Sequence, residues 1–418
     1  MKPRRSIIPI FIPHLGCPCR CVFCNQHSIT SVDDHNTLND TALTAQICTD
    51  KSHNIDRPAS KVRTQNIMPD PSEIGMLIEE GIKKSGKGAE LAFYGGSFTA
   101  ICPDLRRSYL EAAHPYVSRE LIKGIRISTR PDAIDDDILH QLWYFGVRTI
   151  ELGAQSMDDQ VLQLSKRGHT AADTVNAARL VRQMGFSLIL QMMVGLPGET
   201  ADSPMSTARQ LAALQPDGVR IYPTAVLGGT ELELMWKKGG YSPLSFEQAV
   251  DICADLISFF DSRGISILRV GLNPSEDLSG EILAGIYHPA FGDYCRSRLV
   301  YRATRQLLSD IMEDGYIRAG AIAVFRIDRK HLSLFVGQHR YNIKKLMDDF
   351  ELDGISVLDE DSVSVTNYRK RMNGADKIYS FASTFNADEM LSVDGWTPVN
   401  NKELVVGSQV VVEFLGIY

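Results

Sequence analysis

The sequence predicts an α/β protein: a partial (β/α)6 barrel followed by a smaller αβ module at the carboxyl end. Two observations predict it. Apolar, β-rich runs alternate with amphipathic helical patterns through the first two-thirds of the chain, and the chemically distinctive motifs fall at the carboxyl ends of those runs.

Taken in order, the candidate strands are residues 7–12, 91–94, 125–129, 149–153, 188–194 and 219–222, with helices at 135–145, 172–184 and 201–214 among the segments that follow them. Strands alternating with helices pair in parallel through right-handed crossovers. Six such units make most of an eight-unit barrel and leave it open. A helix at 246–260, a strand at 267–270 and the step His288-Pro289 lead to a boundary near 295, giving a barrel over 1–295 and an αβ module over 296–418. Residues 31–70 are polar and aperiodic and read as a long insertion after the first strand, either a lid or a decoration.

With 418 residues, 44% of them hydrophobic, and a formal charge of −7, the chain is long enough for two cores and carries no overall basic footprint for nucleic acid. No run approaches the roughly 20 apolar residues of a membrane span. Lys2, Arg4 and Arg5 precede an apolar stretch, but Pro9 interrupts it and Pro13 closes it, too short for a signal core. The expectation is a cytoplasmic protein without a membrane partner.

Four of the eight cysteines crowd between positions 17 and 24, which in a reducing compartment points to metal rather than disulfides. Cys17, Cys21 and Cys24 have the spacing CxxxCxxC in a loop directly after a strand. Three thiolates on a 4Fe-4S cube leave one iron open, able to chelate the amino and carboxylate groups of S-adenosyl-L-methionine (SAM) and to cleave it reductively. Phe23 would lie beside that iron and pack on the adenine. Cys19 leaves another reading, a zinc site or a closed electron-transfer cluster in a non-catalytic protein, although no second ligand pair follows residue 24.

On these residues, and on the motifs downstream, the sequence resembles the radical SAM superfamily. Within it, the chain is similar to the catalytic subunit of the Elongator tRNA-modifying enzyme and to the oxygen-independent coproporphyrinogen oxidases over about residues 5–290. The resemblance implies SAM contacts at Gly95, Gly96 and Ser97 of YGGSFTA, at Ser128 of STRPD where the family commonly has a glutamate, and at Gln155 of ELGAQS. It further implies contacts at Arg167 of KRGHT and at Gln191 of LILQMMVGLPGET, which replaces a frequent aspartate. It implies an enzyme, a 4Fe-4S cluster and SAM as cofactors, and an electron donor such as flavodoxin or ferredoxin. The sequence leaves the second substrate unknown, with RNA or tRNA the first candidate and a porphyrinogen the second; the acetyltransferase domain is not expected, because residues 300–418 hold no acetyl-CoA-binding glycine pattern.

From 296 to 345 there are 11 Lys or Arg against 4 Asp or Glu. Within this stretch LSLFVGQHRYNIKKL, read as strand, loop and helix, resembles an RNA-binding KH turn with Arg340 at the second glycine position. RNA is therefore a candidate partner of the carboxyl-terminal module.

Overall fold

In a computed structural model of the chain, the described residues are 6–12, 20–24, 69–272, 281–313, 319–359, 366–369, 397–406 and 410–417. Cys17 and nearly all of the insertion expected at 31–70 lie outside them. The chain divides into two units, Met1–Phe246 with Ile265–Tyr287, and Glu247–Gly264 with His288–Tyr418.

The first unit is a seven-stranded, wholly parallel sheet. Its strands, in spatial order, are β1 (Ile7–Phe11), β2 (Glu90–Tyr94), β3 (Gly124–Thr129), β4 (Val147–Gln155), β5 (Ser187–Val194), β6 (Gly218–Pro223) and β8 (Ser266–Val270). The last of these adds a seventh strand to the six of the expected barrel, because the run at 267–270 pairs with β6. The interior strands are buried nearly from end to end, as parallel strands covered by crossover helices must be. Those helices are α1 (Ile74–Ser85), α2 (Pro103–Ser118), α3 (Asp136–Tyr144), α4 (Asp159–Leu164), α5 (Ala171–Gln183) and α6 (Ser203–Ala213).

Their starts follow capping chemistry. The Asp135 carboxylate accepts from Ile138 N at 2.7 Å, and Thr170 and Asp173 form a reciprocal capping box. A short antiparallel pair, β7 (Ala225–Leu227) with β9 (Ile282–Gly285), and helix α7 (Glu231–Lys237) complete this unit.

In the second unit a mixed sheet runs in the order β12 (Thr366–Arg369), β11 (Gly354–Asp359), β10 (Ile322–Ile327), β14 (Val410–Ile417), β13 (Thr397–Val406). Strands β10 and β11 are parallel, joined by two short helices, α10 (Leu332–Val336) and α11 (Tyr341–Asp349). The segment LSLFV is thus helical, not the expected strand. Five residues with one polar position, Ser333, are too few to show a period that distinguishes the two, and Phe335 is buried beside Phe325 of β10 with ring centroids 5.1 Å apart. Helix α9 (Phe291–Glu313) pairs with α8 (Phe246–Asp261) through Arg302 on Asp251 at 2.6 Å and on Asp255 at 2.5 Å. Among the described residues no helix is long and apolar enough to cross a membrane.

Candidate active site

At the carboxyl ends of β1 to β6 lies a cavity of about 370 Å³. Cys21, Phe23 and Cys24 enter from the loop after β1, and Gly95, Gly96 and Ser97 follow β2. Ser128, Gln155 and Gln191 reach it from β3, β4 and β5, and Arg167 from the turn after α4. Every site residue expected from the sequence and lying within the described residues is brought to this one cavity.

Backbone hydrogen bonds seat the cysteine loop. Val22 N donates to Ser165 O at 3.1 Å, Leu232 N donates to Val22 O at 2.8 Å, and the Val22 side chain is buried with Val226, Leu232 and Tyr241. Phe23 packs against the same apolar cluster. Cys21 is buried, with its Sγ accepting from Arg167 Nη1 at 3.4 Å. The other terminal nitrogen, Nη2, donates to Gly153 O at 2.9 Å, while the buried Nε finds no acceptor. Arg167 is itself held by Arg130, a fully buried guanidinium that forks onto Asp132 at 2.9 Å and donates to Arg167 O at 2.7 Å. The STRPD segment therefore orients the arginine of KRGHT.

Two backbone positions here admit little substitution. Gly95 has φ +110°, and a Cβ on it would stand 2.6 Å from Ile12 O, so the glycine lets the ends of β1 and β2 close on each other. Gln155 is not a glycine yet has φ +65°, and its buried Oε1 has no hydrogen-bond donor. The strained backbone at this strand end thus leaves an unpaired acceptor facing the cavity. Ser128 Oγ is likewise buried without a partner, whereas Ser97 Oγ is engaged by Arg130 N at 3.2 Å and Thr129 Oγ1 at 2.8 Å and braces the β2 and β3 ends.

Beside these groups stands an ion network that motif reading passes over. Glu151 of β4 is completely buried and accepts from Arg126 Nη1 at 2.6 Å, Arg220 Nη2 at 3.0 Å and Gln191 Nε2 at 2.8 Å. Arg126 also donates to Glu90 at 2.6 Å, and Arg220 donates to the Tyr94 hydroxyl at 3.1 Å. Burial alone would raise the Glu151 pKa. The Arg220 and Arg126 guanidiniums override it and hold the carboxyl below its usual value. Burial, reinforced by Glu151, keeps the Tyr94 phenol protonated across the working range. Gln191 is thus tethered to the wall of the cavity by a residue that is itself fixed on three sides.

His169 closes the turn behind Arg167. It is buried, with Nε2 3.2 Å from Ala154 O, and burial followed by the Arg167 and Arg130 charges lowers its pKa to about 4. The neutral imidazole donates Nε2–H to that carbonyl. Because the folded-state pKa lies below the unfolded one, folding stability is full above about pH 6.5 and declines as pH falls toward 4, by about 3 kcal/mol at most. Thermal unfolding at pH 7 and pH 5 is expected to show a smaller acid-induced fall in Tm for His169→Gln than for the wild type. An equal fall in both would place the acid sensitivity elsewhere.

The profile of the radical SAM superfamily matches residues 11–211, and that of the radical SAM C-terminal domain matches residues 216–301, together well over half of the chain. The tRNA uridine(34) acetyltransferase of Dehalococcoides mccartyi is 27% identical over 259 residues, 60% of this chain and 55% of the relative. Elongator complex protein 3 of Homo sapiens is 29% identical over 189 residues, 40% of this chain and 35% of that protein. Among solved structures, archaeal Methanocaldococcus infernus Elp3 with an N-terminal deletion aligns with TM-score 0.48 and 24% identity over 59% of each chain. The chain thus spans about half or less of the length of these curated relatives.

Proposed function

Because the chain belongs to the radical SAM superfamily and is an enzyme of it, we propose that it holds a 4Fe-4S cluster on Cys17, Cys21 and Cys24, cleaves SAM reductively, and acts on RNA. The observation that carries this reading is the set of orphaned polar atoms around Gly153: the strained Gln155 with its unsatisfied Oε1, and Arg167 with its unsatisfied Nε beside Cys21. Buried donors and acceptors left unpaired cost about 1–3 kcal/mol each, a penalty that a polar ligand removes. A Cβ on Gly153 would stand 2.8 Å from Arg167 Nη2 and 2.9 Å from Gln155 Nε2, so the glycine keeps both side chains in place.

Cys17, Cys21 and Cys24 would hold the cluster, which when bound would supply the one-electron reduction of SAM. The residues of this chain bind and orient. Arg167, steered by Arg130, offers planar donors suited to the SAM carboxylate. Backbone at Gly95 and Gly96 receives the amino group, Gln155 and Ser128 offer hydrogen-bonding groups to the ribose, and Phe23 and Gln191 flank the adenine. A flavodoxin or ferredoxin is the electron donor. RNA as second substrate is supported by the names of the relatives, tRNA uridine(34) acetyltransferase among them.

Anaerobically reconstituted wild type with reductant and SAM is expected to release 5'-deoxyadenosine, and Cys21→Ala none. Absence of release from an iron-loaded wild type would favour an electron-transfer or structural metal protein. Deuterium placed in RNA is expected to appear in the 5'-deoxyadenosine; transfer from a porphyrinogen instead would refute the RNA assignment.

A further inference from the structure

In the second unit, α10 and α11 are joined by residues 337–340, Gly-Gln-His-Arg, inside the crossover between parallel strands β10 and β11. The loop is built to one shape. Gly337 has φ +75°, and a Cβ there would meet Asn342 N at 3.0 Å. The Asn342 side chain, itself buried, donates to Leu334 O and Phe335 O at the end of α10 and to Ser297 Oγ of α9 at 2.9 Å. His339 and Arg340 follow with φ +53° and +61°, the one adjacent pair of left-handed non-glycine residues among the described residues.

What this frame presents is basic and aromatic. His339, Arg340 and Lys344 are exposed at the loop and the first turn of α11. Between them Tyr341 is 42% exposed, with the Arg298 guanidinium 5.6 Å from its ring centroid and the Tyr301 ring 6.4 Å away. Arg298 is neutralised by Glu247 and Asp251, so its part is to hold the Tyr341 ring. A supported, exposed aromatic ring among cations is the surface that stacks an unpaired base while neutralising its phosphates.

We propose that residues 337–341 and Lys344 form a docking site for single-stranded RNA, with phosphates at His339, Arg340 and Lys344 and a base stacked on Tyr341. In KH domains a GXXG loop clamps a nucleic-acid backbone by close approach. Here the glycine that would end it is Arg340, which adds a charge at the cost of some closeness. The choice of RNA over DNA rests on the proposed function; the docking site itself does not, and it is read without SAM cleavage.

The test is fluorescence anisotropy of a labelled single-stranded RNA against the full chain over a range of salt. The wild type is expected to bind saturably. Arg340→Glu with Lys344→Glu is expected to bind at least tenfold more weakly, with a log–log salt slope smaller by about 1.4, two contacts at about 0.7 each. Tyr341→Leu, which keeps the apolar bulk, is expected to lose about fivefold through stacking alone. Circular dichroism and thermal unfolding matching the wild type verify that the variants fold. Binding unchanged in all variants would overturn the site, equal affinity for DNA of the same sequence would overturn RNA as the partner, and association with anionic vesicles in place of RNA would overturn both.

Discussion

Glu151→Leu is expected to destabilise the protein by about 3–5 kcal/mol, because it takes one carboxylate from the buried Arg126 and leaves the buried Arg220 with none. Arg126 would keep Glu90 at 2.6 Å, but Arg220 would lose both its contacts to a carboxylate, Nη2 and Nε at 3.0 Å each. Urea unfolding under anaerobic conditions measures the loss, and a variant within about 1 kcal/mol of wild type would show the network to be ornamental. A second change, Arg220→Met, is expected to recover part of the loss, since removing both members of a pair leaves no orphaned charge. The pH dependence carries a further signature. The Glu151 pKa is depressed in the fold, so its contribution is present above its usual 4.5 and is lost as pH falls through the lower folded value. The Leu variant is expected to lack that acid limb.

The seven strands and the cavity residues were legible in the sequence to different depths for physical reasons. Strand runs such as SLILQMMV carry their burial in their composition, and Gly95, Gly96, Gln155 and Arg167 lie in motifs at strand ends, where the topology of a parallel sheet gathers them. The Glu151 ion network lies inside the strands, where apolar patterning hides single charges. Its signal is nonetheless present: Arg126 in GIRIST, Glu151 in VRTIELGAQ and Arg220 in GVRIYP each lie between apolar neighbours in a strand, and a buried charge in a central strand demands a partner. The left-handed backbone of Gln155 and the grip of Arg130 on Arg167 O were illegible, since neither follows from composition or spacing but from how the ends of β3 and β4 meet the turn after α4. The helix Leu332–Val336 is not legible because a five-residue, mostly apolar segment fits either element, and only its packing decides.

Arg167→Ala is expected to weaken SAM binding by about a hundredfold while iron and sulfide content stay at wild-type levels, the separation that a ligand-binding residue outside the cluster's ligand set must show. The argument is geometric. Arg167 spends Nη1 on Cys21 Sγ and Nη2 on Gly153 O, so it stands between the thiol and the strand end, with Nε still to be satisfied. Arg167→Lys is expected to recover little, since an ammonium cannot reproduce three donors directed to different sites from one plane. Arg130→Leu is expected to fall between wild type and Arg167→Ala, because it leaves the Arg167 side chain intact but removes the 2.7 Å bond that holds its backbone. Equilibrium dialysis of SAM against reconstituted protein separates the three. Equal affinity throughout would remove Arg167 from the SAM site, whereas loss of iron from Arg167→Ala would show that its 3.4 Å contact with Cys21 Sγ serves to hold the cluster loop rather than the cofactor.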